Sequence, residues 1–183
     1  MTWEEFVNRE EILITDKETL TKASMPLTYE IEESTMFWEL LEEYTRHNAN
    51  CLGMAGVQIG LPYTGFYLAI KHLGEFRFRN PQVKAVSSST HIFPKEGCMS
   101  FPGIFMDTVR YDWIDVYDDI NGLNRYEGLL GVCIQHEMEH LEGKLMHDAA
   151  FAAPTAKRND PCPICLSQGK ENPPKFKKCK DHY

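Results

Sequence analysis

Long apolar runs are missing from this 183-residue chain. No stretch approaches the roughly 18 consecutive apolar residues that a membrane-spanning helix needs, so the sequence predicts no membrane association. The opening Met1-Thr2-Trp3-Glu4-Glu5 is acidic and lacks the apolar centre of a secretory leader. A cytoplasmic protein is therefore expected. Internal repeats are absent too, which excludes a solenoid or propeller. Basic residues are scarce: 19 Lys and Arg stand against 27 Asp and Glu, a net charge of −8. The deficit is uneven. Residues 155–183 carry seven basic and three acidic side chains, so an acidic body is followed by a basic tail. Such a tail suits an acidic partner, nucleic acid included.

What is present is a 43% hydrophobic fraction, enough for the core of one domain with a small appendage. Ser34 and Thr35 are expected to cap a helix carrying Phe37, Leu40, Leu41 and Tyr44 at helical spacing. Strands are predicted at Ile12 to Ile14, Tyr63 to Ile70, Phe76 to Phe78 and Gln82 to Val86, with a turn at Asn80-Pro81. Thr108 to Ile120 reads as one long strand, folded back at Asn121-Gly122 onto Leu123 to Tyr126. A helix from Gly128 to Leu141 is apolar around most of its girth, with Gln135, Glu139 and Glu142 on one polar side, and so should be buried. Gly143 suits its stop. The expected class is α+β, with antiparallel strands packed around that buried central helix.

That helix contains H-E-x-x-H, as His136-Glu137-x-x-His140. Positions i and i+4 share a helical face, so both imidazoles can reach one divalent metal, with Glu137 placed to move protons of an activated water. The kit is that of metal-assisted hydrolysis. A third ligand is missing from the usual places. The metzincin slot holds Met146, with His147 one residue late. After Glu142 the only glutamate is Glu171, in a Lys- and Pro-rich tail. The ligand must come from upstream. There stand Glu96-Gly97-Cys98-Met99-Ser100 and, earlier, Gly53-Met54-Ala55-Gly56-Val57-Gln58. Taken singly, Cys98 reads as a buried thiol and Gln58 as a solvated turn residue.

Together, G-x-A-x-x-Q, E-G-C-x-S and Q-H-E-x-x-H-L in this order resemble the three-motif signature of the peptide deformylases, over about residues 11–148. The resemblance implies a metal held by Cys98, His136 and His140, with water in the fourth position. It implies Fe(II), replaceable by zinc, nickel or cobalt. Glu137 matches the general acid/base. Gln58 and the Met99 backbone N–H match the donors to the oxygen of the tetrahedral intermediate. The implied substrates are N-formylmethionyl peptides, and the products are formate and a free amino terminus. The peptide would lie beside Gly53 and Ala55 as an added strand, Gly97 would let it pass close, and Leu129 and Cys133 would wall an apolar pocket for the methionine. Arg110 sits where the family often has an arginine near the substrate; an exposed strand charge is the alternative. Three features depart from the family pattern: Cys51 and Gly56 in the first motif, Glu139 in place of aspartate in the third, and the tail. Other readings are an HExxH metallopeptidase, or a metal-stabilised binding module without catalysis.

The catalytic domain is expected over residues 1–154 and a zinc-binding tail over 155–183. Cys162-x-x-Cys165 and Cys179-x-x-His182 have the spacing of a closed structural zinc site, and a segment so short would need the metal to fold. The tail loosely resembles the SEC-C zinc motif. With its positive charge, this suggests docking to the ribosome.

Overall fold

The computed structural model describes residues 13–149. Cys162, Cys165, Cys179 and His182 lie outside these residues, as does Ile12. Leu13 and Ile14 are not in a strand, although the Ile14 N–H donates to the Gln58 carbonyl at 2.7 Å.

A short helix α1 (Lys17–Leu20) is capped by Asp16, which accepts from the Thr19 N–H at 2.8 Å. Where one capped helix was expected, there are two: α2 (Tyr29–Thr35) and α3 (Phe37–His47). The hydroxyls of Ser34 and Thr35 donate back to the Ile31 carbonyl, so neither caps α3. Met36, with φ 52°, separates the helices. The periodicity does hold in α3, where Phe37, Leu40 and Leu41 are buried.

Strands β1 (Gly53–Ala55), β2 (Gly65–Ile70) and β3 (Gly74–Arg79) form an antiparallel sheet in that order, with a 3₁₀ turn over Gly56–Ile59 between the first two. β2 is apolar on both faces because both are covered. Its Phe66 and Leu68 join one core cluster, while Tyr67 joins the other, around Phe37, Leu40 and Leu41 of α3. A second sheet has the order β4 (Gln82–Val86), β7 (Trp113–Asp118), β8 (Gly122–Glu127). A third pairs β5 (Thr90–Gly97) with β6 (Phe105–Tyr111). The long strand expected over 108–120 is thus two strands in different sheets. Asp112 breaks it: its N–H donates to Ser87 Oγ at 2.8 Å and its carboxylate bonds Ser89 and His91. The hairpin after β7 forms as expected, and the Asp118 carboxylate accepts from the N–H groups of Ile120 and Asn121 within it.

Helix α4 spans Gly128–Leu141, as expected. Ile134, Met138 and Leu141 pack with Phe66, Phe78 and Ile114 in the larger core cluster. Burying each such side chain contributes about 1.5–3 kcal/mol. Gly143 ends the helix with φ 70°, and a Cβ there would strike the Thr21 carbonyl. Helices combined with antiparallel sheets make an α+β protein. No helix among the described residues is long and apolar enough to cross a membrane.

Candidate metal and catalytic site

α4 presents His136 and His140 one turn apart, with ring centroids 5.0 Å from each other. β5 ends at Gly97, and Cys98 follows directly. Its Sγ lies 3.3 Å from His140 Nε2. One ligand atom from each of Cys98, His136 and His140 falls within 4.8 Å of the others, and all three residues are buried. His136 Nδ1 is held by Glu96 Oε1 at 2.6 Å, which fixes the ring and leaves its other nitrogen available. One sulfur and two imidazoles, gathered from two elements, fit a divalent transition metal such as iron or zinc with a position to spare for chemistry. Burial pushes the His140 ring well below its ordinary range, and the neighbouring His136 adds to this. A neutral ring is what ligation requires. For His136 burial acts in the same downward direction, but hydrogen bonds to Cys98 and Glu96 outweigh it and draw the ring up.

Glu137 faces Gly53 of β1. A Cβ at Gly53 would lie 2.7 Å from Glu137 Oε1 and would strike Leu68, so only glycine admits this carboxylate. Glu137 Oε2 is buried with no hydrogen-bond partner. Burial raises its carboxyl to about 7, with His136 opposing, a value suited to taking and returning a proton. Gln58 sits in the 3₁₀ turn. Its carboxamide oxygen accepts from the Ala55 N–H at 2.9 Å, so its Nε2 is turned toward Ser100 Oγ (3.2 Å) and Cys98 Sγ (3.6 Å).

Behind the ligands lies a buried charged network. Glu96 accepts from Thr108 Oγ1 at 2.6 Å and from Arg110 in bidentate fashion, with Nε at 2.9 Å. Burial would raise the Glu96 carboxyl, but the bonds to His136 and Arg110 win and hold it at about 2. Arg110 also donates to Glu139 Oε1 at 2.7 Å. Arg110 is therefore neither an exposed strand charge nor a wall of the cavity: its side chain is 1% exposed and spent on two carboxylates. On the polar side of α4, Glu142 is exposed while Gln135 and Glu139 are tied into the protein. Gln135 is buried and exchanges two hydrogen bonds with the Tyr111 backbone, and Glu139 serves Arg110. Sequence reasoning missed the parts played by Glu96 and Ser100. The signal available for Glu96 was its place two residues before the ligand Cys98.

A cavity of about 530 Å³ opens on the site, within the usual range for small-molecule pockets. Gly53, Gln58, Gly97, Cys98, Met99, Leu129, Cys133, His136 and Glu137 line it; Ala55, Arg110 and His140 do not. Phe93, Phe101, Ile104, Phe105 and Val132 add apolar walls. Cys51 is buried beside the site and donates to the Gly53 carbonyl at 3.1 Å. Burial, with Glu137 nearby, pushes its thiol up to about 12.

Comparison with known proteins agrees with this geometry. The family model described as polypeptide deformylase matches residues 9–155. The chain is similar to peptide deformylase 2 of Xanthomonas axonopodis pv. citri, with 37% identity over 142 residues, covering 73% of this chain and 81% of that protein. It is also similar to the peptide deformylase of Caulobacter vibrioides, with 33% identity over 141 residues, 73% of this chain and 80% of that one. Among solved structures, the peptide deformylase of Thermotoga maritima superposes with a TM-score of 0.67 at 27% identity, over 76% of this chain and 96% of that one.

Proposed function

The chain belongs to the polypeptide deformylase family, and from that premise we propose how its own residues divide the work. The family's activity is metal-dependent hydrolysis that removes the N-formyl group from the initiator methionine of new polypeptides, releasing formate. In this chain Cys98, His136 and His140 hold the metal, and Fe(II) is the ion we assign, with zinc, nickel or cobalt able to replace it. When bound, the ion supplies a Lewis acid that polarises the formyl carbonyl and makes water acidic enough to attack at neutral pH.

The protein supplies the rest. Glu137 Oε2, buried and unpartnered, takes the proton from the attacking water and later delivers it to the nitrogen that leaves. Gln58 Nε2 and the Met99 N–H donate to the carbonyl oxygen as it gains negative charge. Because the Ala55 N–H already holds the other end of the Gln58 amide, that donor needs no reorientation during the reaction. Among the described residues β1 is an edge strand, paired only with β2, so the substrate backbone adds along Gly53 and Ala55. Gly97 leaves room for it on the opposite side, and the methionine side chain enters between Leu129 and Cys133.

The convergence of one thiol and two imidazoles within 4.8 Å, beside a buried carboxylate, carries this reading. Its test is formate release from a formyl-Met peptide by protein loaded anaerobically with Fe(II). Glu137→Gln should retain the metal and lose turnover. Internal cleavage of an unblocked peptide, with no formate, would instead make the chain a peptidase.

For the remainder we propose a division into a catalytic domain (1–154) and a basic tail (155–183), in which Cys162, Cys165, Cys179 and His182 bind structural zinc and dock this cytoplasmic enzyme on the ribosome. The ligand spacing and the tail's charge support this, and the family model stops at residue 155. Deleting 155–183 should remove one equivalent of zinc and abolish co-sedimentation with ribosomes, while formate release from a short peptide persists. Unchanged co-sedimentation would refute the docking role.

A further inference from the structure

One charged residue at the mouth of the cavity has no part in the scheme above. Among the described residues lining the cavity, Lys95 is the only Lys or Arg. Its position is built rather than incidental. In the pairing of β5 with β6, Phe93 stands opposite Thr108 and Glu96 opposite Met106, so Pro94 and Lys95 together face the single residue Asp107. This is a β-bulge, a device that re-aims side chains beside functional sites. Lys95 adopts φ 53° there, a left-handed conformation uncommon for a residue with a Cβ. The Asp107 carboxylate holds it by accepting from the Lys95 backbone N–H at 3.0 Å. Asp107 is thus engaged with the backbone of Lys95, and no ion pair forms at Nζ among the described residues. The side chain is exposed at the rim. The chain as a whole carries a net charge of −8, so a cation at the mouth that has no ion pair among the described residues stands out as a recognition group.

We propose that Lys95 is a specificity-determining residue, which favours substrates with a carboxylate side chain at one of the two positions after the formyl-methionine. The inference rests on the deformylase reading of the site and adds to it a preference within the substrate class. The ammonium meets an acidic side chain as the peptide lies between β1 and the end of β5. A lysine or arginine at the same place is repelled. Because the contact is exposed, it is modest and weakened by salt.

The test compares three C-terminally amidated peptides, formyl-Met-Asp-Asp, formyl-Met-Ala-Ala and formyl-Met-Lys-Lys, on wild type, Lys95→Ala and Lys95→Glu. The quantity read is the ratio of kcat/KM for the aspartate peptide to that for the lysine peptide. It should fall by about three- to tenfold from wild type to Lys95→Glu at low ionic strength, with Lys95→Ala between, and the spread should shrink at high salt. Both variants keep a residue with a Cβ at the bulge, so a loss of fold would lower all three peptides together and leave the ratio unchanged. Calorimetric binding of the same peptides without the formyl group reads the preference apart from turnover. Charge preference in binding with no formate released would sink the deformylation reading alone. Formate release with a ratio equal within twofold across the three proteins would overturn the role of Lys95.

Discussion

Replacing Arg110 with leucine should be among the most damaging changes available outside the ligands themselves. The side chain is 1% exposed, and its partners Glu96 and Glu139 are 6% and 22% exposed. Leucine fills part of the volume but leaves the Glu96 carboxylate in a buried place with only His136 and Thr108 as donors. Breaking one side of such a buried pair costs about 3–5 kcal/mol, most of it the penalty of the stranded charge. For a domain of this size each kcal/mol moves the melting temperature by about 2–4 °C, so Tm should fall by roughly 6–20 °C. Glu139 contributes to this as well: its Oε2 is buried without a partner, and Arg110 donates to its Oε1. Adding Glu139→Leu to Arg110→Leu should therefore cost less than the sum of the two single changes. A second readout is independent of stability. Glu96 fixes the ring of His136, so loosening Glu96 should weaken metal binding by about 10- to 100-fold. Calorimetry for Tm and a competitive chelator titration for the metal check both. A variant within 1 kcal/mol of wild type, binding metal equally well, would show that this network neither holds the core nor sets the ligand.

Three other outcomes follow from the same geometry. Gly53→Ala places a methyl group against Glu137 and Leu68; it should destabilise by about 1–3 kcal/mol and depress kcat sharply, read by thermal melts and formate release. Gln58→Ala removes a donor already oriented by the Ala55 N–H and should lower kcat about 10²- to 10³-fold with little change in KM, whereas an equal loss confined to KM would assign Gln58 to binding. Burial, with Glu137 next in effect, raises the Cys133 thiol to about 12, so it stays protonated at pH 7 to 9; iodoacetamide should leave Cys133 unmodified there despite its place in the cavity wall, as peptide mass mapping would show.

Cys98 was legible only through the order of three motifs that resembles the deformylase signature. The two histidines were legible because their geometry is local: positions i and i+4 share a helical face, and H-E-x-x-H survives any detail of packing. The α3 and α4 cores were legible for the same reason, through the spacing of Phe37, Leu40 and Leu41 and of Ile134, Met138 and Leu141. What escaped depends on partners far along the chain. Nothing local marks Asp112 as a break within a run rich in Val, Tyr and Trp; Ser87, Ser89 and His91, more than twenty residues away, make it one. β5 went unnoticed because Pro94 and Lys95 at its bulge interrupt the alternation that identifies strands. Arg110 was misplaced because its neighbours in sequence say nothing of Glu96 and Glu139, which only folding brings to it.

The same network explains why so many polar groups can be buried beside one another. Arg110 stands between the carboxylates of Glu96 and Glu139, so its one positive charge is shared by two acids. Were the arginine absent, the carboxylate that orients His136 would lose its bidentate hold. Were Glu96 absent instead, Arg110 would keep Glu139 as its partner, but the His136 ring would lose the acceptor at its Nδ1. Hence the tie from Glu96 to both Arg110 and His136 sets charge and ligand direction together, and the extra methylene of Glu139 matters through its reach to Arg110 at 2.7 Å rather than through any contact with the histidines on either side of it.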